Sequence, residues 1–102
     1  MVNGIPQISA PELKRRLDAG EEVFILDVRE PAEYQSANLG GKLIPLNTLP
    51  ARLMELDRER EIVVHCHSGM RSQRAAEFLR QSGFDRVTNL AGGILAWGAV
   101  KG

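Results

Sequence analysis

Residues 62–72 read Ile-Val-Val-His-Cys-His-Ser-Gly-Met-Arg-Ser and contain the only cysteine of the chain. A β-branched run leads into Cys66, a glycine-containing loop follows, and the spacing predicts a helix from about Arg71 to Ser82. The first backbone N–H groups of a helix have no internal partners, and the helix dipole places partial positive charge there. A tight loop at that point turns further N–H groups inward as an anion nest. A sulfur at its centre is stabilised as thiolate, which is the nucleophilic form. Arg71 and Arg74 fall in the first turn, where cations oppose the dipole at about 0.3–1 kcal/mol each. Two arginines there point to an anion in front of the helix. Arg71 closes the loop; for Arg74, pairing with Glu77 and pointing to solvent both stay open. A lone cysteine behind a valine-rich strand also reads as a small buried hydrophobe, but strand-end loops are where sites gather. His65 continues the strand and reads as a hydrogen-bonded core residue. His67 reads as loop backbone or as an assistant to the sulfur. Neighbouring strand side chains point to opposite faces, so His65, Cys66 and His67 do not make a metal site.

The elements that position this loop follow from pattern. Gln7-Ile8 reads as a short strand. Ser9-Ala10-Pro11-Glu12 reads as a capping box in which Ser9 caps and Glu12 reaches back. Leu13 and Leu17 share a helical face, and Gly20 stops the helix. Val23–Val28 is an apolar run carrying Asp27, suited to a strand buried on both faces. Glu30–Tyr34 starts a short helix with Pro31 near its first position. Asn38–Gly41 is a turn, and Lys42–Ile44 a brief strand closed by Pro45. Leu49, Leu53 and Leu56 recur at helical spacing. Glu61–His65 is a second β-branched strand. Ala75, Phe78 and Leu79 form the inner face of the next helix, and Gly83 ends it. Arg86–Leu90 is a last strand, followed by an Ala91-Gly92-Gly93 loop and a helical turn over Ile94–Trp97. Alternating strands and helices predict an α/β domain with a mostly parallel sheet and helices on both faces. Ligands in such sheets bind beyond the carboxyl ends of the strands. Those ends fall after Val28, Ile44, His65 and Leu90.

Composition narrows the function classes. The chain has 102 residues, 43% hydrophobic and 25% charged, within the range of one globular domain. A single cysteine excludes an internal disulfide, a CxxC pair and a multi-cysteine zinc site. Thirteen basic residues balance thirteen acidic ones, which argues against nucleic acid as a partner. No apolar run approaches the roughly 20 residues that span a bilayer. Met1–Pro6 carries no basic and apolar leader pattern, so a cytoplasmic location is expected. A thiol persists there. A monomer is expected, and neither metal nor cofactor is implied.

Leu26-Asp27-Val28-Arg29-Glu30-Pro31 with Glu33-Tyr34, then Cys66–Ser72, then Gly83-Phe84, then Asn89-Leu90-Ala91-Gly92-Gly93-Ile94 with Trp97, resembles the rhodanese homology domain. The resemblance covers residues 5–98 as one domain, with the motifs in family order. It implies a three-layer α/β fold with a five-stranded parallel sheet, and sulfurtransferase activity through a cysteine persulfide. Cys66 matches the sulfur-carrying nucleophile. His67, Ser68, Gly69, Met70, Arg71 and Ser72 match the loop and helix start that cradle the sulfur, with Arg71 the loop-closing arginine. Asp27 and Arg29 match an Asp-Val-Arg motif that braces the loop region. The related dual-specificity phosphatases use Cys-x5-Arg; here Cys66 to Arg71 is Cys-x4-Arg, a smaller ring suited to a sulfane sulfur. Many members carry Gly-His-Ile-Pro-Gly-Ala before the third strand. Ala37–Leu46 lacks that histidine and looks like the rhodanese domains fused to adenylating enzymes of molybdopterin and thiamine sulfur pathways.

The expected reaction moves a sulfane sulfur from a small donor such as thiosulfate to cyanide, a thiol or a sulfur-carrier protein. A sulfur-relay domain, a non-catalytic binding module, and a phosphatase or arsenate reductase are the alternatives. The short loop and the lack of an evident general acid weigh against the last.

Overall fold

The computed structural model describes residues 4–100; the leader reading on Met1–Asn3 lies outside them. Five strands form one parallel sheet: β1 (Gln7–Ile8), β2 (Phe24–Asp27), β3 (Lys42–Leu43), β4 (Ile62–His65) and β5 (Val87–Leu90). Their order across the sheet is β1-β5-β4-β2-β3. The helices are α1 (Ala10–Asp18), α2 (Pro31–Ser36), α3 (Met70–Gln81) and α4 (Gly93–Gly98), with a 3-10 segment over Leu46–Glu55. From β2 the chain moves outward to β3, and from β4 it moves the other way to β5. The crevice between the carboxyl ends of β2 and β4 is therefore a topological switch point, where this architecture places ligands.

β4 is wholly buried, and its alternation divides the core in two. Ile62, Val64 and Cys66 face one side, packing with Ala75, Ala76 and Leu79 of α3, Leu49 of the 3-10 segment, and Phe84. Val63 faces the other, with Leu13 of α1, Leu90, and the partly buried Trp97 of α4. Two apolar faces on one strand require cover on both sides, which α1 and α4 supply on one face and α3 and the 3-10 segment on the other.

Two local expectations differ from the structure. Ser9 Oγ accepts from Glu12 N–H at 3.2 Å, but the Glu12 carboxylate lies 3.5 Å from Arg15 instead of reaching back. The reciprocal bond of a capping box appears at α2, where Glu30 N–H donates to Glu33 Oε1 at 2.9 Å. The Leu49–Leu56 stretch is a 3-10 segment kinked at Arg52, not an α-helix, and Pro50 lies inside it. Proline has no N–H for the i→i−4 ladder and its ring crowds the preceding turn. Leu49 and Leu56 still reach the core at that spacing.

Leu79 is fully buried where α3 meets β4. Leu79→Ala should cost about 2–5 kcal/mol, the usual range for a core leucine. Urea denaturation will show it as a lower midpoint at an unchanged slope.

Candidate active site

Cys66 follows β4 directly, and its side chain points under the first turn of α3. The residue is 1% exposed, so the loop around the sulfur, not the sulfur, meets solvent. Gly69 N–H donates to Sγ at 3.1 Å, and Ser72 Oγ lies 3.4 Å from it. Gly69 has φ +114°, a conformation that L side chains rarely adopt, and this turns its N–H inward. Burial pushes the Cys66 thiol up, while the Ser72 hydroxyl and the N–H groups of Ser72, Gly69 and Ser68 pull it down; the net shift is down. His67, Ser68 and Met70 lie exposed along the loop, and Ser72 is buried beneath it.

The loop is held from behind by α4. Ile94 N–H donates to Cys66 O at 3.0 Å, and Leu95 N–H to His67 O at 3.2 Å. Gly93, at φ +58°, lets the two backbones approach this closely. A Cβ there would lie 2.5 Å from His67 O and 2.6 Å from Cys66 O.

Arg71 is answered from within the chain. Its Nη1 and Nη2 donate to Glu33 Oε1 and Oε2 at 2.8 and 2.9 Å, a two-pronged pair joining α3 to α2. The anion expected in front of the helix is thus, in part, the Glu33 carboxylate. Hydrogen bonds from Arg71 and from the Glu30 N–H, set against some desolvation, lower the Glu33 pKa to about 2. Arg74 is exposed and forms none of the ion pairs among the described residues, which decides between its two readings in favour of solvent. Glu77 instead accepts from Gln73 at 3.1 Å.

Asp27 and Arg29 form a buried pair at 2.7 Å beside the loop. Arg29 also donates to Glu33 O at 3.3 Å and Ala37 O at 2.7 Å, carbonyls at the end of α2. A buried guanidinium needs such partners, because each unsatisfied donor costs its full desolvation. The pair sets α2 in place, and α2 carries Glu33 to Arg71. His65 lies across the sheet from Cys66, fully buried. Its Nδ1 is 3.2 Å from Cys66 O, and its Nε2 has no hydrogen-bond partner among the described residues, lying 3.6 Å from Asp27 Oδ2. Burial lowers its pKa despite the pull of Asp27, which favours a neutral ring. Two clefts flank the loop. One, lined by Ser68, Met70, Gln73, Arg74 and Asn89, is open. The other, about 400 Å³, lies between Arg29, Glu33, His67, Ile94 and Trp97.

Around the Cys66 sulfur the structure gathers Ser68, Gly69 and Ser72; His67 and Met70 lie exposed on the loop, Arg71 turns to Glu33, and Asp27 and Arg29 sit behind α2. Glu33, Gly93 and Asn89 belong to the same assembly. In the sequence they stood only inside family-like motifs, without assigned roles. Two arginines in a first turn were the one available signal for a carboxylate partner such as Glu33.

The molecule is thus a parallel α/β domain that seats its cysteine among loop N–H groups at the start of a helix. The chain belongs to the rhodanese-like domain family, which matches residues 9–100. It is 40% identical over 98 residues to a sulfurtransferase of Allochromatium vinosum, across 95% of this chain and 89% of that protein. It is 41% identical over 96 residues to the putative sulfur carrier protein YrkF of Bacillus subtilis. That match takes 93% of this chain but 52% of YrkF, so the chain spans about half of that relative's length. A crystal structure of a rhodanese-like domain protein from Staphylococcus aureus superposes with a TM-score of 0.87 at 33% identity, over 92% of each chain. No helix among the described residues is long and apolar enough to cross a membrane.

A carboxylate whose folded pKa is depressed stabilises above its unfolded value and loses that contribution as pH falls through the folded one. The Glu33–Arg71 contribution should thus be full above pH 4.5 and vanish toward about pH 2. Urea midpoints across that window should fall more steeply in wild type than in Glu33→Gln; superimposable acid limbs would remove the pair from the stability of the fold. Gly93→Ala forces α4 and the Cys66–His67 backbone apart, at a cost of order 1–3 kcal/mol. Its thermal midpoint should drop, and its Cys66 alkylation rate at fixed pH should differ from wild type.

Proposed function

We propose that the protein is a sulfurtransferase that carries a sulfane sulfur on Cys66 as a persulfide. The observation that carries this reading is the Cys66 sulfur held at 3.1 Å from the Gly69 N–H inside a Cys-x4-Arg loop. In the first half-reaction, thiolate Cys66 attacks the outer sulfur of a donor such as thiosulfate. A new S–S bond forms to Cys66, the donor's S–S bond breaks, and sulfite leaves with the electron pair. In the second, an acceptor attacks the outer sulfur of the persulfide. Cyanide leaves as thiocyanate, a thiol leaves as its own persulfide, and the Cys66 thiolate is restored.

Each half-reaction places negative charge on sulfur at the loop centre. The loop N–H groups of Ser68, Gly69 and Ser72 are preorganised for it. Arg71, held by Glu33, adds positive charge at the helix start and favours an anionic donor. His67, Ser68 and Met70 form the exposed rim over which donor and acceptor pass. Asp27 and Arg29 support this arrangement through α2. With one cysteine in the chain, no internal thiol can discharge the persulfide as a disulfide, so an external acceptor must take it. A reducing compartment such as the cytoplasm suits the cycle. The similarity to YrkF supports a sulfur-carrier protein or protein thiol as acceptor, with the cleft beside His67 and Trp97 as its landing surface.

Intact-protein mass spectrometry after incubation with thiosulfate tests the reading. Wild type should gain one sulfur atom, lose it on addition of cyanide, and show no gain as Cys66→Ala. Sulfur transfer by Cys66→Ala would overturn the mechanism. Turnover of a phosphate ester without any sulfur adduct would favour the phosphatase alternative.

A further inference from the structure

A directed chain of side-chain hydrogen bonds runs from the surface to the reactive sulfur. The Glu77 carboxylate accepts from Gln73 Nε2 at 3.1 Å, so the oxygen of that amide faces inward. Gln73 Oε1 accepts from Gln7 Nε2 at 2.8 Å and lies 3.3 Å from Asn89 Nδ2. Gln7 Oε1 in turn accepts from Asn89 Nδ2 at 2.9 Å. Gly69 O, at 3.4 Å, is a third oxygen on the same side of the Asn89 amide. With oxygens around its nitrogen, the amide cannot flip without facing oxygen against oxygen. Its Oδ1 must point at Ser72 Oγ, 2.5 Å away, and only Ser72 has a proton to place between them. Asn89 is 3% exposed and Ser72 fully buried, so no water competes for that bond.

Ser72 has one hydroxyl proton and faces three acceptors: Asn89 Oδ1 at 2.5 Å, Gly69 O at 3.2 Å and Cys66 Sγ at 3.4 Å. We propose that Asn89 is a positioning residue that holds the Ser72 proton away from Cys66 while the sulfur is a neutral thiol. In that state the S–H can donate to Ser72 Oγ. When the thiol gives its proton to solvent, the Ser72 hydroxyl turns from Asn89 to the sulfide anion. Ionisation therefore breaks the Ser72–Asn89 bond, and Asn89 tempers the reactivity that the loop N–H groups create. The resting thiol is held back from indiscriminate oxidation, while the donor complex and the persulfide, both anionic, can still recruit the hydroxyl.

Glu77 ends the amide chain, and the other charged or titratable groups about the loop make no hydrogen bond to Asn89. They are Arg71 of α3 paired with Glu33 of α2, the exposed Arg74 of α3 in the cleft that Asn89 lines, Asp27 of β2 paired with Arg29, His65 of β4, and His67. β5 and α4 carry no ionisable side chain. These groups are common to every variant in the test.

The experiment is the pH profile of Cys66 alkylation by iodoacetamide, read in four proteins: wild type, Asn89→Leu, Ser72→Ala and the double variant. Asn89→Leu frees the hydroxyl for the sulfur, so its profile should move to lower pH by about 0.5–1 unit, the worth of one hydrogen bond. In the Ser72→Ala background the Asn89 substitution should leave the midpoint in place. No movement, movement to higher pH, or an equal movement in both backgrounds would overturn the proposal. Asn89→Ala removes the amide without added bulk and carries the same expectation if the leucine variant does not fold. The inference rests on Cys66 as the reactive sulfur, but alkylation needs no sulfur donor. A protein that fails to form a persulfide can still show the Asn89 shift, so the two readings fail separately.

Discussion

Strand β4 is paired on both edges, to β2 and to β5, and that double pairing locates Cys66 more firmly than any contact made by its sulfur. The strand cannot slip by one residue without exchanging its two buried faces. Ile62 and Val64 would then face α1 and α4, and Cys66 would lose its seat beneath α3. Ladder contacts continue past the strand ends, with Val28 N–H donating to His65 O at 3.1 Å. The anion nest is thus built at the end of a strand held from both sides. Preorganisation of this kind lets a loop stabilise charge without reorganising as the charge appears.

Around that fixed end, the cations are balanced in sequence. Arg29 is buried and neutralised by Asp27 two residues back, and its remaining donors close the end of α2. α2 then presents Glu33, whose carboxylate both accepts the Glu30 N–H and holds Arg71. Six residues of helix join the second strand to the helix behind the cysteine. An arginine in the first turn of α3 opposes the helix dipole, and the Glu33 carboxylate offsets that repulsion while leaving positive charge near the sulfur. α4 completes the frame from the opposite face. Its first N–H groups bind the carbonyls of Cys66 and His67, which leaves the loop's own N–H groups to point at the sulfur.

On the β5 side the supports are neutral amides instead of charges. Asn89 pairs in register with Gln7 across β1 and β5, and both side chains enter one hydrogen-bonded set with Gln73. Charge on one flank and oriented amides on the other influence the sulfur differently. An ion pair acts through space, whereas an amide chain acts by deciding where one proton sits.

Much of this molecule was legible as a linear pattern. The apolar run over Val23–Val28, the β-branched run over Ile62–His65, the helical spacing of Ala75 and Leu79, and the glycine stops announce a parallel α/β fold, because strand and helix periods are local properties of backbone and side chain. The Cys66-to-Arg71 spacing is local too, and with it the loop and its chemistry were readable. Local rules also misled: leucine spacing outvoted Pro50, and the capping box at Ser9 formed only half of its bonds. What tertiary structure alone decided is the set of partners that lie far apart in the chain. Arg71 meets Glu33, Ser72 meets Asn89, and Gly93 lies against Cys66 O. Each depends on sheet order and register, which bring residues 17 to 38 positions apart into contact. Residue types carry the chemistry of the site, but only the folded register determines which donor faces which acceptor.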